Sequence, residues 1–179
     1  MVNMPGALDQ VRDFLNTWEI PNDTRVPVDH LAALVAAPER WAAAFPGVTR
    51  PARDDLADLR ALRADLRAAL GLTHPVSLGD RVERHRLVVT LREAPDEPAL
   101  LVRPATASAT GDLLAAAVNA VAAGRWHRLK SCPDCRWVFY DTSRNASRTW
   151  CAMTPGGPDG RGCGGIAKTR AYRARASAR

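Results

Sequence analysis

The chain has 179 residues, 46% of them hydrophobic, enough to bury one good core with a small module left over. No stretch approaches the ~18 to 20 uncharged apolar residues of a membrane span, and the opening MVNMPGALDQVRDF has neither the basic nor the apolar region of a secretory signal; a soluble, cytoplasmic protein with no membrane partner is expected. The formal charge of +6 is split: residues 1–124 carry 13 Lys and Arg against 16 Asp and Glu, a net of −3, and residues 125–179 carry 12 against 3, a net of +9. An acidic body with a cationic tip suits a polyanionic partner. Because 23 of the 25 cations are Arg and Ala is abundant, a GC-rich coding sequence explains the bias equally well.

In chain order, Leu8, Val11, Phe14, Leu15 and Trp18 recur at helical spacing and Pro21 closes the segment. A second helix is expected over Val28 to Ala37 and a short one carrying Trp41 and Phe45. In DDLADLRALRADLRAALG, residues Leu56, Leu59, Leu62, Leu66 and Leu70 form one stripe, Arg and Asp cover the other face, and Gly71 suits the C′ position. After Pro75 the period changes: RLVVTLR (86–92) and ALLVR (99–103), separated by EAPDEP, read as a hairpin. A helix from about Thr110 to Ala123 follows, with Leu113, Leu114, Ala117, Val118 and Val121 inward and Gly124 as its stop. The fold class is therefore α+β: a mostly helical domain with a β-hairpin over 1–124, then a cysteine-bearing module over 125–179.

All four cysteines lie in that module, spaced Cys132-x2-Cys135-x15-Cys151-x11-Cys163. The CPDC knuckle lets two sulfurs face one centre, which suits tetrahedral zinc. A disulfide scaffold is the competing reading and wants an oxidising compartment; a redox CxxC wants to open a helix, whereas strand-like RWVFYD follows here. The few large apolar groups of 131–167 cannot order so short a piece, so structural Zn2+ is the expected cofactor. With four thiolates committed, no coordination position remains for a catalytic water. The expected order is knuckle, strand WVFY, turn SRNAS, strand RTWC, a loop, and a helix bearing the last ligand, a treble-clef-like arrangement.

CPDCRWVFYDTSRNASRTWCAM followed by CGGIAKTRAYRAR resembles the CGNR zinc finger. The four cysteines, Trp137, Phe139, Asp141, Ser143, Arg144, Asn145, Ser147, Arg148, Trp150, Met153, Ala167, Lys168 and Arg170 fall into its register. In that family the finger follows an N-terminal domain called ABATE, described as a stress-induced transcription regulator, and DFLNT (13–17) resembles its opening. The resemblance implies a bacterial-type transcriptional regulator that binds DNA. Two departures stand out. The spacer before the last cysteine is longer by about seven residues, against the 2–4 residue spacers of many zinc motifs, and the signature Asn and Arg are here Gly165 and Ile166.

The nucleic-acid face expected from these residues combines two groups. Lys168, Tyr172, Arg175 and Arg179 form a helical stripe flanked by Arg170 and Arg173; Arg144, Asn145 and Arg148 sit on the SRN turn. The bland counterpart is a solvated terminal helix. Asp141 suits an Asx role in the turn, and Trp137 and Trp150 suit a small core. Asn16, Thr17 and Arg25 are candidate ligand-binding residues, with helix capping as the ordinary reading. His30, His74, His85 and His127 are scattered, and no catalytic residues are assigned. The alternatives are a small-molecule-binding protein or enzyme with a pocket in or beside the N-terminal domain, and a protein-interaction or RNA-binding module. DNA, a small-molecule effector and a second copy in a homodimer are the partners considered.

Overall fold

Helix α1 (Ala7–Leu15) buries Leu8, Val11, Phe14 and Leu15, the stripe that its sequence predicts. The computed structural model describes residues 6–73, 75–92, 99–155, 160 and 162–177; His74, Arg179, the 93–98 turn and most of the stretched spacer (156–159 and 161) lie outside them. Trp18 is not on the helix. It sits in β1 (Trp18–Glu19), paired antiparallel with β2 (Val28–Asp29), and the Arg67 guanidinium lies 4.8 Å from the centre of its ring while donating to the Leu15 carbonyl at the helix end. That tertiary cap stops α1 where the hydrophobic period alone would carry it on.

The same strand pair delays α2 (Leu31–Ala36), which starts after β2, with the Asp29 carboxylate accepting from the Leu31 N–H at 3.0 Å. Helix α3 (Pro38–Ala44) opens on proline, whose missing N–H costs nothing there. Trp41 and Phe45 pack with ring centres 4.6 Å apart, and Phe14 meets Phe45 edge-on at 6.3 Å. Helix α4 (Leu56–Ala68) buries Leu59, Leu62 and Leu66, and Gly71 beyond it adopts φ +76, which glycine permits without strain.

One residue of α4 contradicts the simple division into apolar and charged faces. Arg63 is buried and makes a fork to both carboxylate oxygens of Asp29 at 2.8 Å, with a further bond to Thr17 Oγ1 at 2.7 Å. A buried guanidinium is tolerated because its donors are met by a carboxylate and a hydroxyl.

Helix α5 (Gly79–Arg84), not expected from the sequence, places buried Arg81 against Asp58 and Asp65 of α4. The hairpin is present: β3 (Leu87–Arg92) pairs antiparallel with β4 (Ala99–Pro104), with Val89 opposite Val102. Helix α6 (Ala109–Ala122), capped by Ser108, buries Leu113, Leu114 and Ala117 with Val118 and Val121 at the margin, and Gly124 (φ +64) follows it. Asn119 of α6 holds β4 by exchanging two hydrogen bonds with the Val102 N–H and carbonyl, at 2.9 and 2.8 Å.

The core does not end at Gly124. Trp126, Leu129 and Val138 belong to the same buried cluster as α1, α4 and α6, and the Trp126 indole donates to the Ala69 carbonyl at 2.9 Å. Strands β5 (Leu129–Ser131) and β6 (Val138–Tyr140) pair antiparallel, Lys130 opposite Phe139, so the β5–β6 hairpin covers the main core with one face and carries the knuckle in its turn.

Arg63 holds the Asp29 carboxyl down to about 2 from its ordinary 3.8, against an opposing push from partial burial. A depressed carboxyl stabilises the fold above its ordinary value and loses that contribution as pH falls toward 2, here about 2 kcal/mol at most. Asp29→Asn is expected to be less stable than the parent at pH 6 in urea melts. The gap between the two should close below pH 3, and comparing them at each pH cancels any common loss of metal.

Candidate metal centre

The knuckle is closed by the Cys132 N–H on the Trp137 carbonyl (2.8 Å) and the Arg136 N–H on the Cys132 carbonyl (2.9 Å). Its turn needs Arg136 at φ +63, a left-handed conformation costing a non-glycine residue about 1 kcal/mol. The Arg136 carbonyl is held by Arg67 Nη2 at 2.6 Å and Ser131 Oγ at 3.2 Å. Cys151 arrives from an irregular loop, and Cys163 is the first residue of α7 (Cys163–Ser177).

All four sulfurs are buried and lie within 4.8 Å of one another. Cys135 Sγ is 3.6 Å from Cys151 Sγ, which is 3.7 Å from Cys163 Sγ. A tetrahedron of ~2.3 Å zinc–sulfur bonds has edges of about 3.8 Å, whereas a disulfide requires about 2 Å. The four cysteines are free thiols. Their acidity points the same way. Its hydrogen bond with Cys135 pulls Cys132 down to about 4 against the effect of burial, whereas burial pushes Cys151 up and Cys163 up to about 12; Cys135 is raised by its bond to Cys132 and by burial. Four thiolates this close together need a cation among them. This closed four-thiolate set selects structural Zn2+ and leaves no position for a substrate.

The strand pairing inside the finger differs from the expected one. WVFY pairs backward with Leu129–Ser131, and RTWC is not a strand. Asp141, fully buried, organises the loop instead. One carboxylate oxygen accepts from the Ser143 N–H (2.9 Å) and hydroxyl (2.6 Å), and the other from the Arg148 N–H and Lys130 Nζ, both at 2.8 Å. Burial alone would raise its pKa, but these donors hold it far below the carboxylate range. Arg128 adds bonds to the carbonyls of Asp141 (3.0 Å) and Ser143 (2.8 Å). The Asx role read for Asp141 is what the structure shows; Arg128 and Lys130 were missed, since nothing in RLKSC marks its cations as inward-facing.

Arg148, expected on the nucleic-acid face, is turned into the finger. Its guanidinium donates to the carbonyls of Trp150 (2.8 Å) and Cys151 and stacks over Phe139 at 4.9 Å. Arg144 and Asn145 are exposed, as are Lys168, Arg170, Tyr172, Arg173 and Arg175. Arg170 reaches toward Asp134 of the knuckle (3.8 Å), and with Arg173 it lines a cleft beside Met153 and Pro155. At 3.6 residues per turn, Lys168, Tyr172 and Arg175 share the opposite face of α7. Trp137 and Trp150 pack on the cysteine cluster with Phe139, as a small core should.

Of the three candidate ligand residues, Asn16 and Arg25 reach across the seam between body and finger, and Thr17 bonds within the body. Asn16 is buried, and its amide exchanges two hydrogen bonds with Val138: Nδ2 to the carbonyl at 2.9 Å and Oδ1 from the N–H at 2.8 Å. It supplies one rung of a β-ladder to the edge of β6. Thr17 donates to the Phe14 carbonyl and accepts from Arg63. Arg25 donates to the Asp134 carbonyl at 2.8 Å.

Glycine at the start of α7 fits the close approach of the loop after Cys151. The Gly164 and Gly165 N–H groups donate to the carbonyls of Ala152 (2.9 Å) and Met153 (3.0 Å), satisfying orphan donors of the helix. A Cβ on Gly165 would lie 2.7 Å from the Met153 carbonyl oxygen, and one on Gly164 would lie 3.1 Å from Trp150 and closer still to the Met153 sulfur. Asparagine at 165 would require the loop after Cys151 to move.

Two outcomes follow. Purified without chelator, the protein should carry one zinc per chain by elemental analysis; Cys135→Ser should lose it and lower the single melting temperature, because β5 and β6 belong to the main core. Asn16→Ala, which strands two buried backbone groups, should cost about 2 to 4 kcal/mol in denaturant melts with zinc retained. Asn16→Asp, having no donor for the Val138 carbonyl, should not rescue it.

Among curated proteins none matches this chain. Residues 128–176, which hold all four cysteines and nearly all of α7, match the family model of the CGNR zinc finger, in agreement with the resemblance carried by the cysteine motif.

Proposed function

We propose that the protein is a transcriptional regulator that binds DNA through its zinc module, with the 1–124 segment acting as an ABATE-like sensory or protein-binding domain. The observation that carries this reading is α7. Its first turn is buried around Cys163, and from Lys168 to Ser177 every residue is exposed. The helix holds Lys168, Arg170, Arg173 and Arg175 and no acidic residue. An exposed, like-charged helix of this length is marginal in water, and a polyanion relieves the repulsion. At about 1.5 Å per residue its exposed part is about 15 Å long, and a single helix fits a major groove about 12 Å wide.

Contacts from Lys168, Arg173 and Arg175 would be largely to phosphates, which position the protein without reading sequence. Arg144 and Asn145 add exposed hydrogen-bonding groups on the SRN loop, braced from beneath by Arg128 and Lys130. Arg148 is not on this face; its guanidinium turns toward the Trp150 and Cys151 carbonyls.

Binding of the zinc-loaded protein to a pool of duplex fragments, followed by fluorescence anisotropy, should weaken by about 0.9 log unit per log unit of salt for each phosphate engaged. Arg144→Ala and Arg175→Ala should each lower that slope by about 1 and leave the melting temperature unchanged. Absence of binding at low salt would refute the proposal.

A further inference from the structure

The geometry points to a phosphate-binding cleft at the seam between the helical body and the finger, formed by Arg67, Lys130 and Arg148 around a cavity of about 360 Å3. The three cations come from α4, β5 and the loop before Cys151, elements far apart in the chain that the docked knuckle brings together. Gly71, Ser131 and Thr149 complete the polar part of the lining, and no acidic side chain lines the cavity.

What distinguishes this cleft from an ordinary basic patch is how its cations are satisfied. Arg67 donates to the carbonyls of Leu15 and Arg136, and Arg148 to those of Trp150 and Cys151; among the described residues neither is paired with a carboxylate. Lys130 is paired with Asp141 and spends its other donors on the Ala146 and Arg148 carbonyls, so the unneutralised charge of the cleft is that of Arg67 and Arg148. Carbonyl oxygens orient a guanidinium without neutralising it. Each of the three side chains is half-buried and fixed by its backbone bonds, so a bound anion would pay little to order them. The strain shows in Arg67, whose pKa is lowered to about 10 by burial and by the positive charges of Arg136 and Arg63. An anion in the cleft reverses that effect.

The formally dianionic zinc–thiolate set offsets charge on the Cys151 side of Arg148. Arg67 donates to the Arg136 carbonyl of the knuckle and stacks on Trp18. The cavity is at the small end of ligand sites, suited to one phosphate group and its ester substituent rather than to a large cofactor. That phosphate belongs either to a free phosphorylated metabolite or to a nucleic-acid backbone. The site does not depend on α7 binding DNA.

The test uses the full zinc-loaded chain, with inorganic phosphate as probe and chloride at matched ionic strength as control. Phosphate should raise the melting temperature in a saturable way that chloride does not reproduce. Thr149→Glu places a carboxylate at the exposed rim and removes no brace; it should retain one zinc per chain and weaken phosphate at least tenfold. Arg67→Lys, which keeps the charge and loses the fork, is the second variant and should weaken phosphate less than Thr149→Glu. If Thr149→Glu also weakens duplex binding and lowers its salt slope by about 1, the phosphate is that of a nucleic acid; if duplex binding is unchanged, it is a free phosphoester. No phosphate-specific shift in the parent protein, or an equal shift in zinc-loaded Thr149→Glu, overturns the site.

Discussion

Four sulfurs brought to one point govern the C-terminal third of this protein. Cys132 and Cys135 come from the turn of a hairpin, Cys151 from a loop without regular structure, and Cys163 from the first turn of a helix. The apolar material around them is Phe139 with partly buried Trp137, Trp150 and Ala152, far less than a folded unit of this size needs. A divalent ion supplies what burial cannot, and it also sets where α7 begins and in which direction it leaves the body.

The finger is not hung on a linker. Leu129 and Val138 sit in the main core, and Asn16, Arg25 and Arg67 reach from the body to backbone groups of the knuckle and β6. Side chains that hold backbone carbonyls fix the position of the knuckle independently of the identity of its own side chains. The same device recurs within the finger, where Arg128, Lys130 and Arg148 hold the carbonyls of the SRN loop and the Cys151 turn. Part of the positive charge of the last third is therefore structural. Among its described residues Arg125, Arg136, Arg144 and the cations of α7 are exposed, whereas Arg128, Lys130 and Arg148 are half-buried braces, so charge counted from composition overstates the freely exposed charge.

Gly165 is physically coupled to the loop that precedes Cys163. The Met153 carbonyl caps α7 from a position that a side chain at 165 would occupy. The ligand set survives without the family's asparagine because the sulfurs depend on the knuckle, the Cys151 turn and the helix start, none of which needs one. The expected hairpin of WVFY with RTWC fails for a related reason: the edge of WVFY is already paired with Leu129–Ser131, and the chain after Asp141 is committed to satisfying that buried carboxylate.

Periodicity and spacing alone determined α1, α4, the β3–β4 hairpin, α6 and the four zinc ligands, because each is encoded in local sequence: a leucine stripe, two short β-rich runs, a CxxC knuckle with two further cysteines. Only the tertiary structure decided the roles of Asn16, Thr17, Arg63, Arg67, Arg128, Lys130 and Arg148. Asn16, Arg63, Arg67, Arg128 and Lys130 meet a backbone group or carboxylate distant in sequence, Asn16 and Val138 being 122 positions apart, while Thr17 and Arg148 hold carbonyls two or three residues away. Local sequence records which atoms can donate and accept. It does not record which buried backbone group will be left unpaired when helices and hairpins pack, and that is what draws those side chains inward.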